Sequence, residues 1–200
     1  MVAMQMPMPR SFDQRPEELS QPDPATVERE RKAQIMLWAH LDRLIAQVPA
    51  GQTVDSSKFD QIFGDKAAML RAAGMVAISR TAQNSGLDHV ALSFRSEKIA
   101  ETGVFRLTHQ QKVEFDFNPK TSELSKISGL TVGKHYLWWH DATIETLKMS
   151  HDANDNTIFY GAGHWALFSG STTLIIGHNA QVVQLKKGQQ LADAVKKVND

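Results

Sequence analysis

Apolar residues recur along this chain with two different periods, and the change falls near Val104. In the first half, Leu37, Leu41, Leu44 and Val48 return every three or four positions, the spacing that keeps side chains on one face of an α-helix. Asp23 followed by Pro24 reads as an N-cap with a first-turn proline, while Pro49 and Gly51 stop the run, which predicts one long helix over about 24–48. Ser56 or Ser57 can cap a second helix with Phe59, Ile62 and Phe63 as its apolar face and Gly64 as its stop. Asp65 can cap a third that uses Ala67, Leu70 and Ala73 and ends at Gly74. Two strands, 75–80 and 89–94, then read as a hairpin around Asn84, Ser85 and Gly86.

From Val104 onward the period is two. Phe105 and Leu107 alternate with polar residues, then Val113, Phe115 and Phe117, before a turn at Asn118, Pro119, Lys120 and Thr121. Further strands are expected near 124–132, 142–149, 157–161, 164–168, 172–176 and 181–186. Their separators are rich in turn formers: 152–156, Ser169-Gly170-Ser171, His178-Asn179 and Lys187-Gly188. At the end, Leu191, Ala194, Val195 and Val198 fall on one helical face, with Lys196 and Lys197 in the last turn, where the helix dipole favours cations. The expected fold class is α+β: N-terminal helices with a β-hairpin over 23–100, then, over 104–200, an antiparallel β-sandwich or small barrel closed by a C-terminal helix.

The first 22 residues show no helical period and include Pro7, Pro9, Pro16 and Pro22, so they read as a disordered tail without the basic leader and apolar block of a secretory signal. Twenty-two basic and twenty-two acidic residues cancel, so no global field draws the chain to nucleic acid or anionic lipid. With no cysteine there is neither a disulfide framework nor a thiolate metal site. Apolar runs fall far short of the roughly 18 residues that a spanning helix needs, and a cytoplasmic location is the default expectation.

The β region ends in an apolar strand, Thr173-Leu174-Ile175-Ile176, then 181–186 and a lysine-glycine link into the last helix, and it contains the strand-like run 140–147. In that order it resembles the bacterial pleckstrin-homology-like domains, over about 104–198. The resemblance implies a strongly bent sheet with the terminal helix plugging one open end. Lipid-binding members of that family gather basic residues on the first hairpin, whereas Lys112, Lys120, Lys126 and Lys134 are dispersed here, which argues against a phosphoinositide partner. The N-terminal half is similar in order to a winged helix. Its third helix offers only Lys66 and Arg71 as cations, so nucleic acid is not a favoured partner.

Five histidines, His135, His140, His151, His164 and His178, lie in the β region, but no pair has the spacing of a metal site. His140 and His164 are the candidate ligands. Asp152, Asn154 and Asn156 match the start of a calcium loop, which then fails at Thr157 and Gly163, where a turn glycine and a bidentate glutamate belong; a hairpin turn is the better reading. Gly161, Gly163 and Gly170 lie among strands instead of leading into a helix, and no serine sits in a nucleophile elbow. What remains is aromatic: Tyr136, Trp138, Trp139 and Trp165 are the candidate binding residues. If 136–140 is extended, Trp138 and Trp139 point to opposite faces, one to the core and one to a contact surface. The sequence therefore predicts a non-catalytic domain that binds a protein or a small ligand through its β half and needs no cofactor. The alternatives are a metal-dependent enzyme or metalloprotein using the histidines, and a winged-helix nucleic-acid binder.

Overall fold

The computed structural model describes residues 22–103, 105–135, 139–165 and 168–199, apart from the side chains of 134, 135, 139, 140, 165, 168 and 169. The predicted tail therefore lies outside the described residues, except for Pro22.

Helix α1 (Pro24–Ala39) begins where the sequence places it, with the Asp23 carboxylate accepting from the backbone N–H of Thr26 at 3.2 Å. It does not run to residue 48. It breaks at His40, whose backbone (φ −108°, ψ 12°) is not helical, and α2 (Leu41–Gln47) follows. At the break the carbonyl of Ala39 accepts a hydrogen bond from the Thr157 hydroxyl at 2.8 Å, a long-range donor inserted where the helical ladder would continue. Ala33, Gln34, Ile35, Leu37, Trp38 and Ala39 are all buried, so the last half of α1 is enclosed around most of its circumference.

Strand β1 (Gln52–Asp55), too short to stand out in the sequence, precedes a 3₁₀ turn. Asp55, and not Ser56 or Ser57, caps that turn, its carboxylate accepting from the N–H of Ser57 at 2.9 Å. Helix α3 (Phe59–Phe63) stops at Gly64, whose φ of 53° ends the helical path, and α4 (Ala67–Ala72) starts after a second 3₁₀ turn, without the expected side-chain cap from Asp65. The hairpin β2 (Met75–Ala82) and β3 (Asp88–Phe94) follows, then β4 (Lys98–Glu101), which the sequence reading missed.

The second half is a meander of long strands: β5 (Phe105–Asn118), β6 (Glu123–His135), β7 (Trp139–His151), β8 (Thr157–Trp165), β9 (Phe168–Ile176) and the short β10 (Val182–Gln184). Segments 157–161 and 164–168, expected as two strands, merge largely into β8. Ser169, Gly170 and Ser171, read as a turn, lie inside β9, where Gly170 pairs with Gly163. All these strands and the N-terminal hairpin join one antiparallel sheet in the order β1-β2-β3-β5-β6-β7-β8-β9-β10, with β4 beside β5. It is a single, unclosed sheet instead of a sandwich or a closed barrel.

The sheet is bent through the middle of β5. Phe105 to His109 form the part of β5 nearest β4, whereas 112–117 pair with β3, and the register against β6 shifts between the two parts. On β6 the bend is met by Gly129, whose φ of 80° suits glycine and whose missing side chain leaves room for the Lys112 carbonyl. Helix α1 packs against β4 and β9, and the end of β4 and the start of β10 come together beside it. Arg31 of α1 lines one crevice together with Thr102 and with Gln181.

One apolar core runs from Ala33 on α1 through Ile78 and Leu92 to Ile176, so both halves of the chain share it. Helix α5 (Leu191–Asn199) packs elsewhere. Its Ala194 and Val198 are buried against Ile175, which faces away from the side carrying Leu174 and Ile176. The helix thus covers the outer face of β9 and β10 instead of plugging the end of the sheet, and Leu191, expected to be covered, is 41% exposed. Among the described residues, no helix is long and apolar enough to cross a membrane.

Candidate functional site

On the concave face of the bent sheet, alternate residues of five strands point at α1. Leu107 from β5, Leu130 and Val132 from β6, Ile144 from β7, Phe159 from β8 and Leu174 from β9 surround a hollow of about 30 Å3, with Trp38 of α1 on its wall. No polar atom contributes to its exposed lining, so water gains no hydrogen bonds there and an apolar group is the fitting occupant. Gly161 makes the space. A side chain built on it would start 3.6 Å from Leu147 Cδ1 and 3.8 Å from Ile144 Cδ1, in ordinary contact distance, so the position is open by residue choice and not by backbone necessity.

Next to the hollow sits a buried polar group of unusual composition. His109 is fully buried, stacks on Phe94 with ring centroids 3.8 Å apart, and lies 6.4 Å from the Trp38 ring. Its Nδ1 is 3.0 Å from the Gln110 carbonyl, which assigns the ring proton to Nδ1 and leaves Nε2 as an acceptor. That Nε2, the Trp38 Nε1–H and the Gln34 Oε1 have no partner among the described residues. Burial holds the His109 pKa below its ordinary value, against a smaller upward pull from the Gln110 carbonyl.

A second constellation has the outline of a nucleophile triad. His151 Nε2 is 2.9 Å from Asp42, and its Nδ1 is 3.3 Å from the Thr157 hydroxyl oxygen. The hydroxyl proton, however, goes to the Ala39 carbonyl, and Thr157 is 1% exposed, out of reach of a substrate. These residues tie the α1–α2 break to the β7–β8 hairpin. The tie is extended by Arg43, whose guanidinium is 2.6 Å from Asp155. Within that hairpin Asp152 accepts from the backbone N–H groups of Asn154 and Asn156 and from the Asn156 side chain, all at 2.8–2.9 Å, so its carboxylate is occupied in closing a turn, as the sequence favoured.

Of the candidate binding residues, Tyr136 and Trp138 lie outside the described residues. Trp139 starts β7 opposite His135 and Trp165 ends β8 opposite Phe168, which brings both backbones to the end of the sheet where the β6–β7 and β8–β9 hairpins turn. Their side chains are not among those described, so the expected contrast between Trp138 and Trp139 stands as an expectation. His140 pairs with Lys134 in the strand register. His164 is exposed and holds Glu145 across the strand pair at 2.7 Å. Among the described residues no three histidine or carboxylate side chains gather as a metal site. On α4, Arg71 bonds Asp60 at 2.5 Å and the Ser56 carbonyl at 2.9 Å, which turns its charge toward α3. The residues that sequence reasoning missed are Trp38, His109 and Gly161. The period-two row of β5 did signal an inward face, but nothing local marked the helix that fills it. No protein family, no curated protein and no solved structure matches this chain.

Proposed function

We propose that this chain is a non-catalytic binding protein that takes the apolar portion of a small ligand, an acyl or aromatic group, into the hollow between Trp38 and the concave face of the sheet. The observation that carries this reading is the wholly apolar lining of a space that one glycine, Gly161, keeps open. At about 30 Å3 the hollow takes the tip of such a group, and deeper entry requires the flanking strands to part. Trp139 and Trp165 have their backbones near the hairpin turns at one end of the sheet, and in this reading that end is the entrance, because aromatic side chains dominate contact energetics.

The test is a titration of the full chain with a long-chain fatty acid and with an anilinonaphthalene dye, compared with the Gly161→Leu protein. The leucine Cβ meets Leu147 and Ile144 at ordinary contact distance and the rest of the side chain occupies the space a ligand would take, so the variant should still unfold cooperatively, at a cost of about 1–3 kcal/mol, while its affinity falls by about tenfold or more. Equal uptake by both proteins would remove the hollow from the account. Winged-helix binding of nucleic acid is not supported by α4, whose arginine is held by Asp60.

A further inference from the structure

The tie at the α1–α2 break is one proton short. A neutral imidazole carries a single ring proton, and in His151 the Asp42 carboxylate, 2.9 Å from Nε2, holds it there and leaves Nδ1 as an acceptor. Nδ1 faces the Thr157 hydroxyl oxygen at 3.3 Å, and that hydroxyl has one proton for two claimants. The Ala39 carbonyl, at 2.8 Å, takes it. Two lone pairs therefore meet between His151 and Thr157.

A second proton on His151 removes the conflict. It comes from solvent, which reaches a side chain that is 15% exposed, and it sits on Nδ1. Nδ1–H then donates to the Thr157 oxygen, the Thr157 hydroxyl still donates to Ala39, and Asp42 still accepts from Nε2, so every contact from Asp42 to Ala39 holds one proton. The Asp42 carboxylate offsets the added charge. His40 at the break and Asp155 in the β7–β8 turn also face the ring electrostatically. Asp155 is held by Arg43. Burial first, and after it the Lys66 charge, keeps the His40 pKa below its ordinary value, so His40 stays uncharged where it would otherwise repel a charged neighbour.

Both ends of this chain of bonds belong to walls of the apolar hollow. Trp38 immediately precedes Ala39 on α1, and Phe159 lies two positions beyond Thr157, on the same face of β8. Resting on the reading of the hollow as the binding site, we propose that His151 is a proton-operated latch: charged, it fastens the end of α1 to the β7–β8 hairpin and slows the exchange of a bound apolar group, and neutral, it eases the Trp38 wall away from the sheet. The latch tightens as the pH falls.

The test compares the full chain with Thr157→Val at pH 8 and at pH 5.5. At pH 8 the variant loses only the bond to Ala39, whereas at pH 5.5 it also leaves the His151 Nδ1–H without its acceptor. In urea unfolding, the factor by which the variant shifts the folding equilibrium should therefore grow about fivefold on acidification. Effects common to both proteins cancel in that ratio. The same comparison in a His151→Gln background, where glutamine still offers Asp42 an N–H, should show no growth. An equal factor at the two pH values overturns the latch, and so does growth that persists in His151→Gln, which assigns the pH dependence to another group. The second readout is the release rate of Nile red, an uncharged dye over this range: release from the parent should be about threefold slower at pH 5.5 than at pH 8, and equal at both in Thr157→Val. Release from the parent that is no slower in acid overturns the control of the hollow. Dye uptake that Gly161→Leu leaves intact sinks the hollow as the binding site instead, and the unfolding comparison then decides the latch alone.

Discussion

His109 concentrates the physical oddity of this core in one side chain. It is stacked on Phe94, close to Trp38, and buried with one ring nitrogen unpartnered, so protonation in place would put a charge in an apolar setting. Burial lowers its pKa in the folded protein, and it does the same to His40, with the Lys66 charge adding to the effect there. The unfolded chain therefore binds more protons than the folded one once the pH drops below the ordinary histidine value of about 6.5, and stability falls with the pH in that window. Replacing His109 with phenylalanine keeps a ring against Phe94 and removes the titration. Urea unfolding at neutral pH and near pH 5 should show a smaller acid loss in His109→Phe than in the parent, while an identical loss would place the acid sensitivity elsewhere. Asp116, whose carboxylate is held below its ordinary range first by Lys126 and also by His89 and Gln83, adds an acid loss of its own that the variant leaves intact.

At the scale of elements, the structure differs from the sequence reading where a distant partner intervenes. The predicted helix 24–48 breaks at His40 because a hydroxyl from residue 157 takes the Ala39 carbonyl, and no local pattern signals a donor that far along the chain. Thr157→Val keeps the shape and removes that donor, so it should cost about 1–2 kcal/mol, and adding Asp42→Asn should show coupling between the two changes in a double-mutant cycle. Additive losses would mean that the tie is two separate contacts. The ends of the meander were legible: turns at 118–121 and 152–156, and a last helix with Ala194 and Val198 inward, follow from Asx chemistry and a 3.6 period. What periodicity does not encode is which face of the sheet that helix meets. The answer lies in Gly177, where any side chain would run into Val198. Gly177→Ala should push α5 off Ile175 and destabilise by about 1–3 kcal/mol, read as a lower melting temperature with the sheet signal retained below it. The apolar hollow was legible in part: Phe105 and Leu107 announce an inward face by alternation, whereas Trp38, from a helix recognised by its spacing alone, carries no such mark.

For the whole molecule, a division near residue 104 follows a real change of period but not a division of the core. Buried residues from Ala33 to Ile176 form one continuous cluster, and β5 is gripped along the same edge by β3 and β4, both from the first half. Trp38, from the first half, also occupies the concave face of strands from the second. A fragment of residues 104–200 would lose both strand partners of β5 on that edge, leaving its backbone groups and the apolar row from Phe105 to Phe117 open to water. It would also lose the helix that fills the sheet's hollow side. Burial of a core aromatic is worth about 3–5 kcal/mol on truncation, and the stability of a whole domain is only about 5–15 kcal/mol, so the removal of an entire helical wall leaves no net stability. The fragment should therefore be unfolded or associated, and the intact chain should unfold in one step, with far-ultraviolet circular dichroism and tryptophan fluorescence tracing the same denaturant midpoint. Two separated midpoints, or a 104–200 fragment that melts cooperatively as a monomer, would show that the β half holds its own core and that α1 is an accessory to it.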